Sequence, residues 1–374
     1  MNFEIITTTQ RLDTICDHAR THSVVMLDTE FVRTRTLYPK LGLIQMFDGD
    51  NLVLIDPIEI EDLTPFWDLL CDQSVIKVLH ACGEDLEVFQ HHAGCLPTPM
   101  IDTQLMAAFL GHGVSAGFGS LVSEYVGVDL EKGEARTNWL ARPLTEKQLD
   151  YAAADVFYLL PLYETLLEKV KAKGWMEALE LECAALMQKR TKGIDLDKAY
   201  RLVKNAWQLN PKQLAVLQHA AKWRILEARK RDIALNFVVK ELHIWKLAKY
   251  NIKSKSVMST EGFESMEVQR HGNRLLKIVQ DVENIPSEQY PEKIIRLVDL
   301  SGYKQVVKHI KDVVTKVEEE TGLAPEFLAS KKQINQLISW AWKYQKSDDK
   351  LPDMLKTWRK PLFEEHVLPL LNKK

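Results

Sequence analysis

Three short segments of this chain set carboxylates against apolar runs. In Leu27-Asp28-Thr29-Glu30-Phe31 the side chains alternate faces of a strand, so Asp28 and Glu30 point the same way. They close the apolar run VVML. Two adjacent carboxylates repel, and burial raises both pKa values. A divalent cation between them relieves both effects, and hard oxygen ligands select Mg²⁺ or Mn²⁺. Two solvated acids at an exposed strand end are the alternative. The second segment, His80-Ala81-Cys82-Gly83-Glu84-Asp85, follows another apolar run and opens a helix. Its acids are either ligands or partners of the positive helix N-terminus. The third is Tyr151-Ala-Ala-Ala-Asp155, whose i, i+4 spacing puts phenol and carboxylate on one helix face. Its alanines let the helix lie close to a sheet, and an aspartate inside AAADVFYLL asks for a partner. Four acids from three separated segments suit a centre in which two cations about 4 Å apart cleave a phosphodiester.

The elements that must position these residues are a mixed α/β set. Residues 23–31, 41–48, 51–56 and 75–80 read as strands, the second and third joined by the Gly49-Asp50 hairpin turn. Residues 62–71, 84–92, 103–110 and 120–126 read as helices. Thr145 and Gln148 form a capping box that starts one long helix, kinked at Pro161 and ended at Gly174. Residues 177–189 form a further helix and 190–195 (RTKGID) a linker. Beyond it the pattern is almost wholly helical, with residues 251–260 as a loop. It repeats at an offset of 90 residues: Ala234, Phe237, Ile244 and Leu247 recur as Ala324, Phe327, Ile334 and Leu337. Two similar small bundles meet near 285–291, where two prolines break the pattern.

A chain of 374 residues implies two or three domains. No apolar run approaches a membrane span, the N-terminus lacks the features of a signal peptide, and five unclustered cysteines suit reduced cytosolic thiols. The net charge of −3 hides an asymmetry: residues 1–190 hold 15 Lys+Arg against 29 Asp+Glu, and residues 191–374 hold 34 against 23. A basic half attracts phosphate backbones, whereas an acidic half needs cations to approach one.

Asp28-x-Glu30, Asp85 and Tyr151-x₃-Asp155 resemble the motifs of the DEDD 3′→5′ exonucleases, in the subclass with tyrosine. SVVMLDTEF, YPKLGLIQ, KVLHACGEDLEVF, IDTQLMA and RPLTEKQLDYAAADV extend the resemblance to the ribonuclease D family, and WRILEARKRDIALNFVV with its later counterpart resembles HRDC domains. The resemblance implies an α/β ribonuclease H-like exonuclease domain (1–190) followed by two all-α HRDC helical bundles (205–286 and 291–374). It implies two divalent metal ions, Mg²⁺ or Mn²⁺, and hydrolysis of RNA from a free 3′ end to nucleoside 5′-monophosphates, with transfer RNA precursors as substrates. No membrane or obligate protein partner is expected, and the expected location is cytoplasmic. Asp28, Glu30 and Asp155 would hold the metal that carries the attacking water, Asp28 would bridge to the second, and Asp85 would support that one. Asp85 is preferred to Glu84 because it matches the motif. Tyr151 would orient the water; an ordinary phenol pKa of about 10 suits positioning better than proton removal.

Other residues are weaker candidates. Thr29 could contact the 3′-terminal nucleotide or simply pack in its strand. Gln45, alternating among apolar residues, could support the site or substrate. Trp139 could stack on a base and Arg142 bind phosphate, with packing the alternative for Trp139. His80 could support the site or be an ordinary interior histidine, and Asp102 could support it or merely cap a helix. Arg224, Arg229, Lys230 and Arg231 are candidate RNA phosphate contacts. A DNA 3′→5′ exonuclease would use the same acids, and a catalytically inactive nucleic-acid-binding adaptor would share the fold.

Overall fold

The computed structural model describes residues 1–131 and 133–372. The chain divides into two compact units, one of residues 1–32, 39–191 and 301–374, the other of residues 33–38 and 192–300.

The first unit is built on a six-stranded sheet. In chain order its elements are β1 (Glu4–Ile6), α1 (Thr9–Ala19), β2 (Val24–Val32), β3 (Lys40–Phe47), β4 (Leu52–Ile55), α2 (Thr64–Cys71), β5 (Ile76–Leu79), α3 (Asp85–His92), β6 (Met100–Asp102), α4 (Thr103–Phe109), α5 (Phe118–Val126), α6 (Glu146–Phe157), α7 (Leu159–Ala172) and α8 (Met176–Thr191). The strand order is β1-β4-β3-β2-β5-β6. β2 is central, antiparallel to β3 and parallel to β5. Its residues Val25, Met26 and Leu27 are buried, as in a strand covered on both faces. β1, α1 and β6 were not foreseen; strands of three residues are too short to show an alternation.

α6 lies over β2, β3 and β4. It begins with the expected capping box between Thr145 and Gln148. The single helix kinked at Pro161 is instead two helices, α6 and α7, meeting at Tyr158. Proline lacks an N–H, and its ring crowds the carbonyl four residues earlier, here Phe157. The interruption therefore falls one turn before the proline.

The second unit holds α9 (Pro211–Arg231), α10 (Leu235–Val238), α11 (Glu241–Tyr250), α12 (Lys255–Thr260) and α13 (Ser265–Glu283). α12 corrects the expected loop over 251–260: the Ser254 side chain accepts the Val257 N–H and caps a helix too short for its period to be read. Residues 301–372 repeat the pattern with α14 (Tyr303–Thr321), α15 (Pro325–Leu328), α16 (Lys331–Trp342) and α17 (Lys360–Val367). Ala234 and Ala324 stand at the same N-cap position before α10 and α15, so the 90-residue repeat marks corresponding turns. This C-terminal bundle is joined to the sheet domain by Phe109, Trp175, Phe327 and Trp358. The rings of Phe109 and Phe327 are 4.8 Å apart, edge to face. Glu182 of α8 accepts hydrogen bonds from Arg359 and from the Trp358 indole.

Arg142 fastens the segment before α6 to the sheet. It donates to both Asp56 carboxylate oxygens, at 2.5 and 2.7 Å, and to the carbonyls of Gly42, Trp139 and Ala141. Gly42 sits so close that a Cβ there would lie 2.6 Å from the Trp139 carbonyl oxygen. Both backbones are held by Arg142, so neither can yield freely. Gly42→Ala is therefore expected to destabilise the protein by roughly 1–3 kcal/mol, the usual cost of overpacking. Urea unfolding measures this, and an unchanged midpoint would mean that the segment moves aside.

Candidate active site

The apolar start of β2 anchors it between neighbours, and its polar end carries Asp28, Thr29 and Glu30. Alternation sends Asp28 and Glu30 towards α6 and Thr29 to the other side. On α6, Ala152 and Ala153 are buried, which lets the helix lie close to the sheet and brings Tyr151 and Asp155 to the acids. One carboxylate oxygen each of Asp28, Glu30 and Asp155 falls within 4.8 Å of the others. Tyr151 donates a hydrogen bond to Asp155. Asp85 opens α3 and is buried, with the Thr29 hydroxyl donating to it. Thr29 therefore braces an acid, and with 5% exposure it presents no surface to a nucleotide.

The turn carrying Asp85 is held in place by Asp102. Ala81 adopts a left-handed conformation, φ 53°, costly for a residue with a Cβ. The Asp102 carboxylate accepts the N–H groups of Ala81 and Cys82, each at 3.0 Å, and that of Gln104 at 2.8 Å. It thus caps α4 and braces the turn, so the two readings of this residue are compatible. Glu84 precedes α3 and makes no side-chain cap there. His80 hydrogen-bonds Thr103 Oγ1 at 2.9 Å and the Ala116 carbonyl at 3.2 Å, and burial lowers its pKa. Together with Leu27, Asp28, Phe118, Tyr151, Asp155 and Leu159 it lines a cavity of about 170 Å³. Nothing in the sequence marks Leu27, Phe118 and Leu159 as cavity walls, because apolar residues in such runs are ordinarily core. A larger cavity of about 440 Å³ opens beside the same Tyr151 and Asp155, flanked by Asp129, Glu134 and Lys147.

Four weaker candidates lie elsewhere than expected. Trp139 is fully buried, 6.3 Å ring to ring from Tyr151, and has no face for a base to stack on. Arg142 spends all five N–H groups on Asp56 and three carbonyls, leaving none for a phosphate. Arg224 is 5% exposed and donates to the Val239 carbonyl, so it belongs to the bundle interior. Gln45 is directly across from Asp28 in the β2–β3 register and fully buried. It shares Asp28's face but cannot reach a substrate, and its amide has no partner among the described residues. Arg229, Lys230 and Arg231 are exposed in the last turn of α9, with Arg231 3.5 Å from Glu227.

Crowding sets the electrostatics. Burial raises the Asp28 carboxyl far above its ordinary value, and the charges of Asp85, Asp155 and Glu30 add to this. Burial, then Asp155 and Asp85, pushes Glu30 to about 9. Burial takes Asp155 to about 7 against the hydrogen bond from Tyr151, and Asp85 to about 6 against that from Thr29. Burial and the neighbouring acids also push the Tyr151 phenol upwards. Four such groups cannot all ionise at neutral pH without a counter-charge. Asp28, Glu30 and Asp155 offer hard carboxylate oxygens within 4.8 Å of one another, a set that suits a small divalent cation.

Residues 3–171 match the family described as 3'-5' exonuclease, residues 213–279 the HRDC domain, and residues 301–367 the ribonuclease D C-terminal HRDC domain. The fold and site are those of a metal-using 3′→5′ exonuclease followed by HRDC modules. Ribonuclease D of Serratia proteamaculans is 48% identical over 99% of both chains, and that of Escherichia coli K12 46% identical over 99% of both. The crystal structure of Escherichia coli RNase D matches with a TM-score of 0.95, covering 99% of each chain. The chain belongs to the ribonuclease D family.

The raised pKa values give a pH signature. A carboxyl whose folded pKa exceeds its unfolded value near ~4 lends stability below that pH and loses it as pH rises through the folded pKa. Here the loss in metal-free protein runs from about 4 up through the Glu30 value of about 9. A divalent cation replaces the departing protons. The rise in melting temperature on adding Mn²⁺ to chelator-treated protein should therefore be larger at pH 9 than at pH 6. Equal rises at the two pH values would separate metal binding from these carboxyls.

Proposed function

We propose that this protein removes nucleoside 5′-monophosphates one at a time from RNA 3′ ends by a two-metal-ion hydrolysis, in the 3′ maturation of transfer RNA and other stable RNA precursors. The observation that carries this reading is the meeting of Asp28, Glu30 and Asp155 within 4.8 Å, under Tyr151, in a chain of the ribonuclease D family. The exonuclease domain is assigned to residues 1–190 and the HRDC domains to 205–286 and 291–374. The proposed setting is the cytoplasm, with no obligate protein partner. Among the described residues no helix is long and apolar enough to cross a membrane.

Asp28, Glu30 and Asp155 would hold one Mg²⁺ or Mn²⁺ ion, and Asp28 with Asp85 would hold the other. When bound, such ions acidify a water and offset charge on the leaving 3′ oxygen. The chain's own groups do the rest. Thr29 and Asp102 fix Asp85. Tyr151, its phenol raised by the acids around it, keeps its proton at neutral pH and acts as a positioned donor at Asp155 and the attacking water. The arrangement contains no covalent step.

Asp28→Asn or Asp155→Asn should lower turnover by several orders of magnitude while leaving RNA binding near wild type and the unfolding midpoint of metal-free protein at or above it. Full activity in either variant would refute the metal assignment. Tyr151→Phe should slow turnover about 10²-fold, the lower end of what a positioned proton-handling group contributes, with metal affinity near wild type. Unchanged kinetics would remove the phenol from the mechanism. A 3′-extended transfer RNA and a DNA strand of the same sequence, incubated with Mg²⁺ or Mn²⁺, decide the substrate. Shortening of the RNA with release of 5′-monophosphates is expected. Preferential shortening of the DNA would favour a DNA exonuclease, and no release from either would favour an inactive adaptor.

A further inference from the structure

A second group of metal-ligating side chains lies away from the catalytic acids. His18, in the last turn of α1, and His22, just beyond it, are four residues apart, with ring centroids 5.0 Å from each other. Facing them is the β3–β4 turn, which carries Asp48 and Asp50. Ligand atoms of His18, His22 and Asp48 all fall within 4.8 Å of one another. Asp28 pairs with Gln45, and Asp48 stands three residues beyond Gln45, just past the end of β3 and about 10 Å from that level. This group is therefore separate from the catalytic one.

The hydrogen bonding around these residues holds the carboxylate and the rings in fixed orientations. The Asp48 side chain is fully buried. Its Oδ1 accepts the turn N–H groups of Asp50 and Asn51 at 2.9 and 2.7 Å, which fixes the carboxylate and aims Oδ2 at His18. His18 Nδ1 lies 2.9 Å from Asp48 Oδ2 and 2.9 Å from Asn51 Nδ2. A single ring nitrogen cannot donate to the first and accept from the second at once. His22 Nδ1 faces the His18 carbonyl at 3.3 Å, and donating there leaves the Nε2 lone pair 3.1 Å from Asp50 Oδ2. In that tautomer Nε2 is free to serve as a metal ligand; in the other it donates to Asp50. A ring N–H given to a backbone carbonyl, with the other nitrogen turned inward, is how ligating histidines are usually oriented. Asn51 Nδ2 also donates to Asp48 Oδ2 at 3.2 Å. The two imidazoles and the buried carboxylate thus converge with their ligand atoms within 4.8 Å of one another, where a cation could replace the ring protons.

We propose that His18, His22, Asp48 and Asp50 bind a late first-row divalent cation, with Zn²⁺ the best fit, clipping the end of α1 to the β3–β4 turn. Two imidazoles and two carboxylates make a four-coordinate set that zinc accepts. Ligand bonds near ~2.0–2.2 Å place tetrahedral ligand atoms roughly 3.4 Å apart. The His18–Asp48 and His22–Asp50 contacts are 2.9 and 3.1 Å, and the His18, His22 and Asp48 ligand atoms lie within 4.8 Å of one another, so the side chains would shift only modestly. Mg²⁺ prefers the all-oxygen set at Asp28, Glu30 and Asp155, so the two centres differ in ligand softness.

The test uses full-length protein stripped with chelator, then equilibrated with limiting Zn²⁺ in a large excess of Mg²⁺ that occupies the carboxylate centre. Wild type should retain one zinc per chain. His22→Ala should bind zinc at least about tenfold more weakly and keep the wild-type exonuclease rate in Mg²⁺. Co²⁺ in place of Zn²⁺ should give wild type a tetrahedral visible absorption band that His22→Ala lacks. His22 is partly exposed and not part of the core, so this variant should fold; an unchanged melting temperature in chelator confirms that. Equal zinc retention by wild type and His22→Ala, or none by either, would overturn the proposal.

Discussion

Mutual repulsion among buried carboxylates is the constraint on which the catalytic domain turns. Folding alone would not gather Asp28, Glu30, Asp85 and Asp155. The gathering is sustained by surrounding structure: a central strand packed on both sides, a helix whose alanines let it approach that strand, and a turn with Ala81 held left-handed by Asp102. Each of these places an acid where its charge is disfavoured. The Thr29 and Tyr151 hydroxyls lower the cost at Asp85 and Asp155, whereas among the described residues no such donor lowers Glu30, which is raised the most of the groups given a value. Affinity for a divalent cation follows from that imbalance.

The acids were legible in the sequence because each sits against a run of definite period: a strand ending at Asp28 and Glu30, a helix opening at Asp85, an i, i+4 pair at Tyr151 and Asp155. Chain periodicity says which way a side chain faces; the choice of Asp85 over Glu84 came instead from the resemblance to a known motif. It says nothing about what a long side chain meets across the fold. Arg142 and its partner Asp56 are 86 residues apart, and neither bears a mark of the other. An arginine just before the third motif therefore read as a phosphate ligand when it is a clamp. Arg224 failed in the same way, hidden within a helix whose other cations are exposed. Helix ends were misplaced for local reasons: Pro161 acts on a carbonyl one turn back, and the six-residue α12 is shorter than two turns.

The repeat of 90 residues shows how one pattern serves two surroundings. Phe327 is 5% exposed and packs edge to face on Phe109, beside Trp358. Phe237, its counterpart, is 57% exposed, with the Arg35 guanidinium 5.8 Å above its ring. Ile244 with Leu247, and Ile334 with Leu337, are buried in both bundles. The shared positions that recur in burial are those facing each bundle's own interior, and the position that differs faces outwards. In the C-terminal copy that outward position has become part of the same compact unit as the sheet domain.

The charge asymmetry needs a corresponding correction. Cations of the basic half do not all meet solvent as free charges. Arg224 and Arg359 are interior, and Arg296 lies 3.6 Å over the Trp207 ring while pairing with Asp299. Lys240 and Lys253 pair with Glu264 and Glu283. A phosphate backbone responds to charge that can come within a Debye length of it without breaking an internal contact. The salt dependence of binding should therefore follow a smaller set, of which the exposed end of α9 at Arg229 and Lys230 is one part, rather than the sum over the sequence. An excess of cations in composition is an upper bound on what a polyanion can use.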